Sequence, residues 1–180
     1  MNLIPEIVSR RSIRKYKDVD ISDEAIKEIV EAARLAPSGS NKQPWRFLVI
    51  RDREKRKKIV QVDHDQQWML TAPVIIACLA DLTCRIPDPT VEVNQWTPAY
   101  ELKQILRDSA IGAAYLMLQA ERMGLGTCWT AWYGQADMQQ ALGVPSYMYV
   151  TGVLTVGVPD EVPEARPRVN LDEILHFEQW

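Results

Sequence analysis

The stretch "ELKQILRDSAIGAAYLMLQAERMG", residues 101 to 124, sets the tightest limit on what this chain can become. It opens with amphipathic helical spacing and turns apolar on nearly every side from Ala110 to Leu118. A helix apolar all round belongs in the middle of a structure, with other elements against several of its sides. Gly124 is its natural stop, because the residue just past a helix end commonly takes left-handed backbone. A chain of 180 residues is long enough to build one ordinary domain around such a helix.

The elements to wrap it are present. "APVIIACLAD" (72 to 81) is a continuous apolar run with β-branched residues, the pattern of a buried strand. "YMYVTGVLTVGVP" (147 to 159) is the longest β-rich run, and "RFLVIR" (46 to 51) and "TCWTAW" read as shorter strands. "ISDEAIKEIVEAARLAPSG" reads as a helix with Ser22 as N-cap and with Ile26, Ile29, Val30 and Ala33 on one face. Pro37 and Gly39 end it. "DREKRKKIVQ" predicts a helix whose cluster Arg53 to Lys58 is a solvated face, "ADMQQALG" a short helix, and "NLIPEIVS" a turn or two. There are no internal repeats or linkers, so the alternation predicts a single α+β domain over 1–180, with roughly four or five strands and as many helices. Two stretches stand apart. Residues 82–100 carry three prolines and no period, an excursion long enough to be functional. "DEVPEARPRVNLDEILHFEQW" has no core of its own and must lie along another surface.

Composition narrows the function. Apolar residues are 47% and charged residues 25%, which are globular values. The first residues lack a signal peptide's apolar run, since Pro5 and Glu6 interrupt it, and no stretch approaches the roughly 18 apolar residues of a membrane helix. Cys78, Cys84 and Cys128 form no disulfide framework, so the expected compartment is the cytoplasm. A net charge of −3 argues against a general nucleic-acid binder. His64 and His176 lack metal-ligand spacing, so no metal is expected, and neither a GxSxG elbow nor a Walker A sequence is present.

Against that acidic background, "RRSIRKYK" (10 to 17) packs five cations into eight positions. Read as an extended strand, it points Arg10, Ser12 and Arg14 one way and Arg11 and Ile13 the other. Two guanidiniums flanking a hydroxyl suit a phosphate monoester; a solvated basic arm on acidic neighbours is the competing reading. "APSGSNKQPW" (36 to 45) sets Asn41 and Gln43 in a turn of small residues, able to hydrogen-bond a heterocycle edge, or serving as a plain helix cap and turn. In "ARPRVNLDEIL", Arg166 and Arg168 alternate like the first group and can return to the same phosphate.

In this order, "RRSIRKY", "ARLAPSGSNKQPWRFLVI", "GLGTCW" and the late "RPR" resemble the nitroreductase family of flavin-dependent oxidoreductases. The resemblance implies an α+β sandwich, a central mostly antiparallel sheet flanked by helices, in an intertwined homodimer that binds two FMN molecules at its interface. By resemblance Arg10, Arg11 and Ser12 hold the phosphate and ribityl chain, assisted by Arg166 and Arg168, and Arg14 sits at the pyrimidine edge of the ring. Pro37, Ser38, Ser40, Asn41 and Gln43 reach the flavin from the partner subunit. Thr130, Ala131 and Trp132 lie against the other face or the N5 edge, mainly through backbone, and Gln66 or Gln67 contacts the ring. The motif departs from the family where Val169 and Asn170 replace a basic residue and a proline.

The implied activity is transfer of hydride from NADH or NADPH, through the flavin, to a nitroaromatic, a quinone or a similar small acceptor by a ping-pong mechanism. No catalytic side chain is then needed beyond Arg14, which stabilises the reduced flavin. Residues 82–100 are expected to cover the flavin with Trp96 as a stacking wall, or else to pad the dimer interface. Residues 160–180 are expected to form an arm on the partner or at the phosphate site. The alternatives are a non-redox flavin carrier or sensor, or a variant doing flavin–oxygen or reductive dehalogenation chemistry.

Overall fold

The alternation of side chains along the longest apolar runs decides the architecture. In the computed structural model, which describes residues 2–88, 96 and 100–180, strand β2 (Val74–Asp81) is buried along nearly its whole length. Its Val74, Ile76 and Cys78 enter one apolar core, while Ile75, Ala77 and Leu79 enter another. A strand apolar on both faces needs cover on both. Helices α2 (Asp23–Arg34) and α4 (Tyr100–Arg122) supply one layer through Ile26, Ile29, Ala33, Ala113, Leu116 and Ala120. Helices α3 (Arg53–Val62) and α5 (Gln135–Leu142) supply the other through Ile59, Val60 and Met138.

The sheet has the order β1-β2-β4-β3, with β1 at Trp45–Ile50, β3 at Gly126–Thr130 and β4 at Met148–Gly157. Every neighbouring pair is antiparallel, and the β2–β4 register shifts once, between Cys78 and Leu79. The α+β sandwich expected above is therefore the observed fold. Ser22 caps α2, its Oγ accepting from the Ala25 N–H at 3.1 Å. Arg56 departs from the solvated face expected of α3, because its guanidinium donates to the carbonyls of Leu70 and Ala72 and ties the helix to the next turn.

Two features matter for function, and the first departs from the sequence expectation. Helix α4 is not covered on every side: Ile111 and Tyr115 remain 39% and 42% exposed in the single chain. The residues after Asp160 run across the surface with one 3-10 turn at Leu171–Glu173, leaving Val162, Val169, Ile174, Phe177 and Trp180 exposed.

Near its start the chain forms a short helix, α1 (Pro5–Ser9), and then an arm along the open side of β3. Ser12 bridges to Thr127 in parallel, the Ile13 N–H donates to the Thr127 carbonyl at 3.0 Å, and the Lys17 N–H to Val158 at 2.9 Å. Ile13 and Tyr16 anchor the arm in a small core with Ala72. Gly126 permits this approach, since a Cβ there would lie 2.7 Å from the Ile13 side chain. Of the 82–100 excursion, Leu82–Cys84 form a 3-10 turn, Trp96 is 82% exposed and Tyr100 already belongs to α4. Residues 89–95 and 97–99 lie outside the described residues, and the expected flavin cover with them. Among the described residues no helix is long and apolar enough to cross a membrane.

Candidate functional site

Three polar regions hold the residues singled out from sequence. The first is a pocket of about 240 Å3 where the arm meets the chain leaving β4. Arg10, Arg11, Ser12 and Arg14 line it from the arm, and Glu161, Pro163, Glu164, Arg166 and Arg168 from the tail. The tail is turned back by backbone recognition. The Asp160 N–H donates to the Lys15 carbonyl at 2.9 Å, and the Glu161 carboxylate accepts from the N–H groups of Arg14 (2.5 Å) and Lys15 (3.1 Å). An exposed Lys15–Asp160 ion pair at 2.8 Å adds to the join.

Strict strand alternation had pointed Arg11 away from Arg10 and Ser12, and here the expectation is corrected. The arm is bonded to β3 only at isolated bridges, so its side chains need not alternate, and Arg11 lines the same pocket. Its guanidinium donates to the carbonyls of Val8 (2.8 Å), Ser9 (3.0 Å) and Arg10 (2.8 Å), closing the end of α1. Arg168 similarly donates to the Arg166 and Pro167 carbonyls. Among the described residues the side chains of Arg10 and Arg166 have neither an ion pair nor a hydrogen bond. Five guanidiniums thus face two carboxylates, one of which is occupied with backbone. That excess positive charge, with two unengaged forks, fits a phosphate dianion.

The second region continues from Arg14, whose guanidinium lies 5.7 Å from the centre of the Trp68 ring. The Trp68 indole N–H donates to Gln66 Oε1 at 3.2 Å, Gln66 Nε2 donates to Thr130 Oγ1 at 3.0 Å, and Thr130 Oγ1 donates to Asp63 Oδ2 at 2.8 Å. Gln67 instead bonds Asp65, so of the two glutamines Gln66 is the one joined to Thr130. Asp63 is fully buried and its Oδ1 has no hydrogen-bond partner. Burial pushes its carboxyl above the ordinary range, opposed first by the hydrogen bond from Thr130.

Thr130, Ala131 and Trp132, expected against the other face or the N5 edge mainly through backbone, have side chains in three different surroundings. Thr130 is buried in this network. Ala131 lines a separate groove of about 310 Å3 with Leu106, Ala110, Trp129 and Tyr149 among its walls. Trp132 is exposed and stacks on His64, ring centres 3.8 Å apart and 9° from parallel, while His64 Nδ1 lies 2.6 Å from the Trp132 carbonyl.

The third region is the turn after α2. Ser40, Asn41 and Gln43 all have positive φ, at 53°, 52° and 48°. Such backbone is uncommon for any residue but glycine and is kept only where surroundings impose it. Here the Gly39 N–H donates to Asp108 Oδ2 at 3.1 Å, Arg85 Nη2 donates to the Gly39 carbonyl at 2.6 Å, and Ser38 Oγ accepts from the Gln43 N–H at 3.0 Å. Asn41 therefore has a conformational reason to be there as well as a chemical one, since asparagine tolerates left-handed backbone. Pro37, Ser40, Asn41 and Gln43 are exposed and Ser38 half-buried, and none of the five lines the cationic pocket of its own chain.

Sequence reasoning missed Asp63, Trp68, Glu161, Arg85 and Asp108. Nothing in "VDHDQQWML" or "TCRIP" distinguishes a buried anchor from a loop residue by spacing; each becomes significant only through a partner distant in the chain.

Residues 7–158 match the model of the nitroreductase family; Arg166 and Arg168 lie beyond that match. A protein of Archaeoglobus fulgidus, provisionally named an NADH dehydrogenase/NAD(P)H nitroreductase, is 35% identical over 97% of this chain and 96% of its own. The solved structure of the Vibrio harveyi NADPH:FMN oxidoreductase complexed with NAD+ has a TM-score of 0.87 at 28% identity, covering 98% of this chain and 76% of that one. For the FMN-dependent nitroreductase of Clostridium difficile R20291 the TM-score is 0.81 at 29% identity, covering 99% and 100%.

Proposed function

The chain belongs to the nitroreductase family, and from that premise we propose that it is an FMN-dependent oxidoreductase. It takes hydride from NADH or NADPH and passes the electrons to a flat oxidised acceptor, a nitroaromatic or quinone, in two half-reactions at one site. The observation that carries the reading is the convergence of five guanidiniums from residues 10–14 and 166–168 on one small pocket. A lone terminal phosphate is the ligand such a pocket suits, and the similarity to an NADPH:FMN oxidoreductase and an FMN-dependent nitroreductase supports reading it as the phosphate of FMN.

When bound, FMN supplies the two-electron chemistry, and the protein supplies position and charge. Arg10 and Arg166 clamp the phosphate, with Arg11, Ser12 and Arg168 completing the cradle. Arg14, reaching from the same arm toward Trp68, sets a permanent positive charge at the pyrimidine edge, where reduction places negative charge. Gln66 presents its remaining N–H and lone pair to the ring edge. Thr130 and Trp132 line the opposite side.

The turn at 37–43 serves the flavin of a second copy, which makes the active species a homodimer. Two observations support this: the uncovered Ile111–Tyr115 face of α4, and a tail rich in exposed apolar side chains. An obligate interface is large and more apolar than a transient one, and that face and tail expose apolar side chains of the kind it covers. Trp96 would then stand over the acceptor site. The setting is the cytoplasm.

The test is direct. Denatured protein should release FMN and not FAD, and NADH or NADPH added under nitrogen should bleach the flavin within seconds. Flavin that stays oxidised would favour a carrier on the same scaffold. A flavin-bound monomer in sedimentation would remove the shared site.

A further inference from the structure

Asp63 is a fully buried carboxyl without an ion pair among the described residues, and the redox reading gives it no task. A buried carboxylate without a cation is costly, so what it accepts deserves an account. It ends a chain of three hydrogen bonds whose direction is set at both ends. The Trp68 indole N–H can only donate. At 3.2 Å it therefore meets the Gln66 oxygen, which turns the Gln66 nitrogen toward Thr130, 3.0 Å away. Thr130 accepts there and has one O–H left, which it gives to Asp63 Oδ2 at 2.8 Å. An ionised carboxylate can only accept. Donor-only at one end and acceptor-only at the other, the chain runs from Trp68 to Asp63 and not back.

We infer that Asp63 is a positioning residue: through Thr130 it fixes which way the Gln66 amide points. Building on the reading that Gln66 borders the flavin, it thereby decides that the ring edge meets one N–H and one carbonyl lone pair in a set order. Asp63 touches no cofactor and acts two bonds away.

Removing the charge shows why the carboxylate matters. In Asp63→Asn one acceptor oxygen becomes an NH2 group that can only donate, and the amide can set that nitrogen against Thr130. Thr130 must then give its O–H to Gln66, and Gln66 can accept only by flipping, which sets its NH2 against the Trp68 N–H. Two donors face each other, and the corner loses its order. Thr130→Val cuts the chain in the middle with little change in volume.

The test uses both variants. In the 15N-labelled apoprotein, the Trp68 indole N–H resonance (assigned with Trp68→Phe) should move in Asp63→Asn and in Thr130→Val. FMN titrated into the same proteins should bind about three- to tenfold more weakly, the worth of one lost or misdirected hydrogen bond, and the visible band of the bound flavin should shift. If only the melting temperature falls, with the Trp68 resonance, FMN affinity and spectrum unchanged, Asp63 merely staples one turn to β3 and the inference is wrong. A moved resonance with unchanged FMN affinity and spectrum would uphold the relay and take Gln66 out of the cofactor site. The two readings therefore fail separately.

Discussion

The cationic pocket and the Asp63 corner lie on either side of Arg14, and their polar groups are employed differently. In the pocket the guanidiniums ride on half-buried to exposed chain, and Arg10 and Arg166 have no partner among the described residues. In the corner, Trp68, Gln66, Thr130 and Asp63 pass one hydrogen bond to the next inside the fold. Groups idle in the protein answer to a ligand, whereas groups already bonded to each other answer to folding. Pocket variants should therefore change cofactor retention and spare stability, and corner variants should change stability first.

The largest effect expected is on the pocket. Arg10→Ala with Arg166→Ala should weaken FMN binding by about two to four orders of magnitude, two charged hydrogen bonds at about 1.5–3 kcal/mol each. The apoprotein's melting temperature should hardly move. Full flavin occupancy with a collapsed melting temperature would invert the comparison.

Arg14→Gln probes the residue that the two regions share. It should keep most FMN but lower the flavin's reduction potential and slow reduction by NADH or NADPH, because a positive charge is lost where negative charge develops. An unchanged potential would place Arg14 away from the pyrimidine edge.

In the corner, burial raises the Asp63 carboxyl above its unfolded value, so its ionisation opposes folding. Stability attributable to this group should fall as pH rises from the ordinary carboxylate range through the raised value, then level off. Urea midpoints measured from about pH 4 to about pH 7 should show wild type losing stability relative to Asp63→Asn. A relative gain would mean that the hydrogen bonds outweigh burial. The smallest effect belongs to Lys15→Ala. Its raised and Asp160's lowered titration both come from one fully exposed pair, and no change in melting temperature should be detectable.

The same contrast explains what was legible in the sequence. Strands and helices could be read because burial imprints a local period: β2 alternates between two cores, and Ile26, Ile29 and Ala33 mark one face of α2. The boundaries slipped slightly, β1 starting at Trp45 instead of Arg46. The pocket's charges were visible because nothing nearby neutralises them. That residues 10 and 166 line one pocket has no local signature beyond the like alternation of two arginine pairs, which family resemblance then joined. The 3-10 turn at Gln67–Thr71 and the Asp63 corner were not readable, since "DHDQQWMLT" carries no period and its meaning lies in Thr130, far along the chain. The exposed Ile111 and Tyr115 teach the converse. An all-round apolar helix was read correctly as one needing cover, but the single chain does not provide all of it.

Whether residues from both chain ends hold one phosphate is tested most directly by comparing two ligands. Apoprotein titrated calorimetrically with FMN and with riboflavin, which lacks only the phosphate, should bind FMN about a hundredfold or more tightly, two charged hydrogen bonds being worth at least about 3 kcal/mol together. That preference should vanish when Arg10 and Arg166 are both alanine. Equal affinity of wild-type protein for the two ligands, or a preference that survives the double substitution, would contradict a phosphate held from both ends.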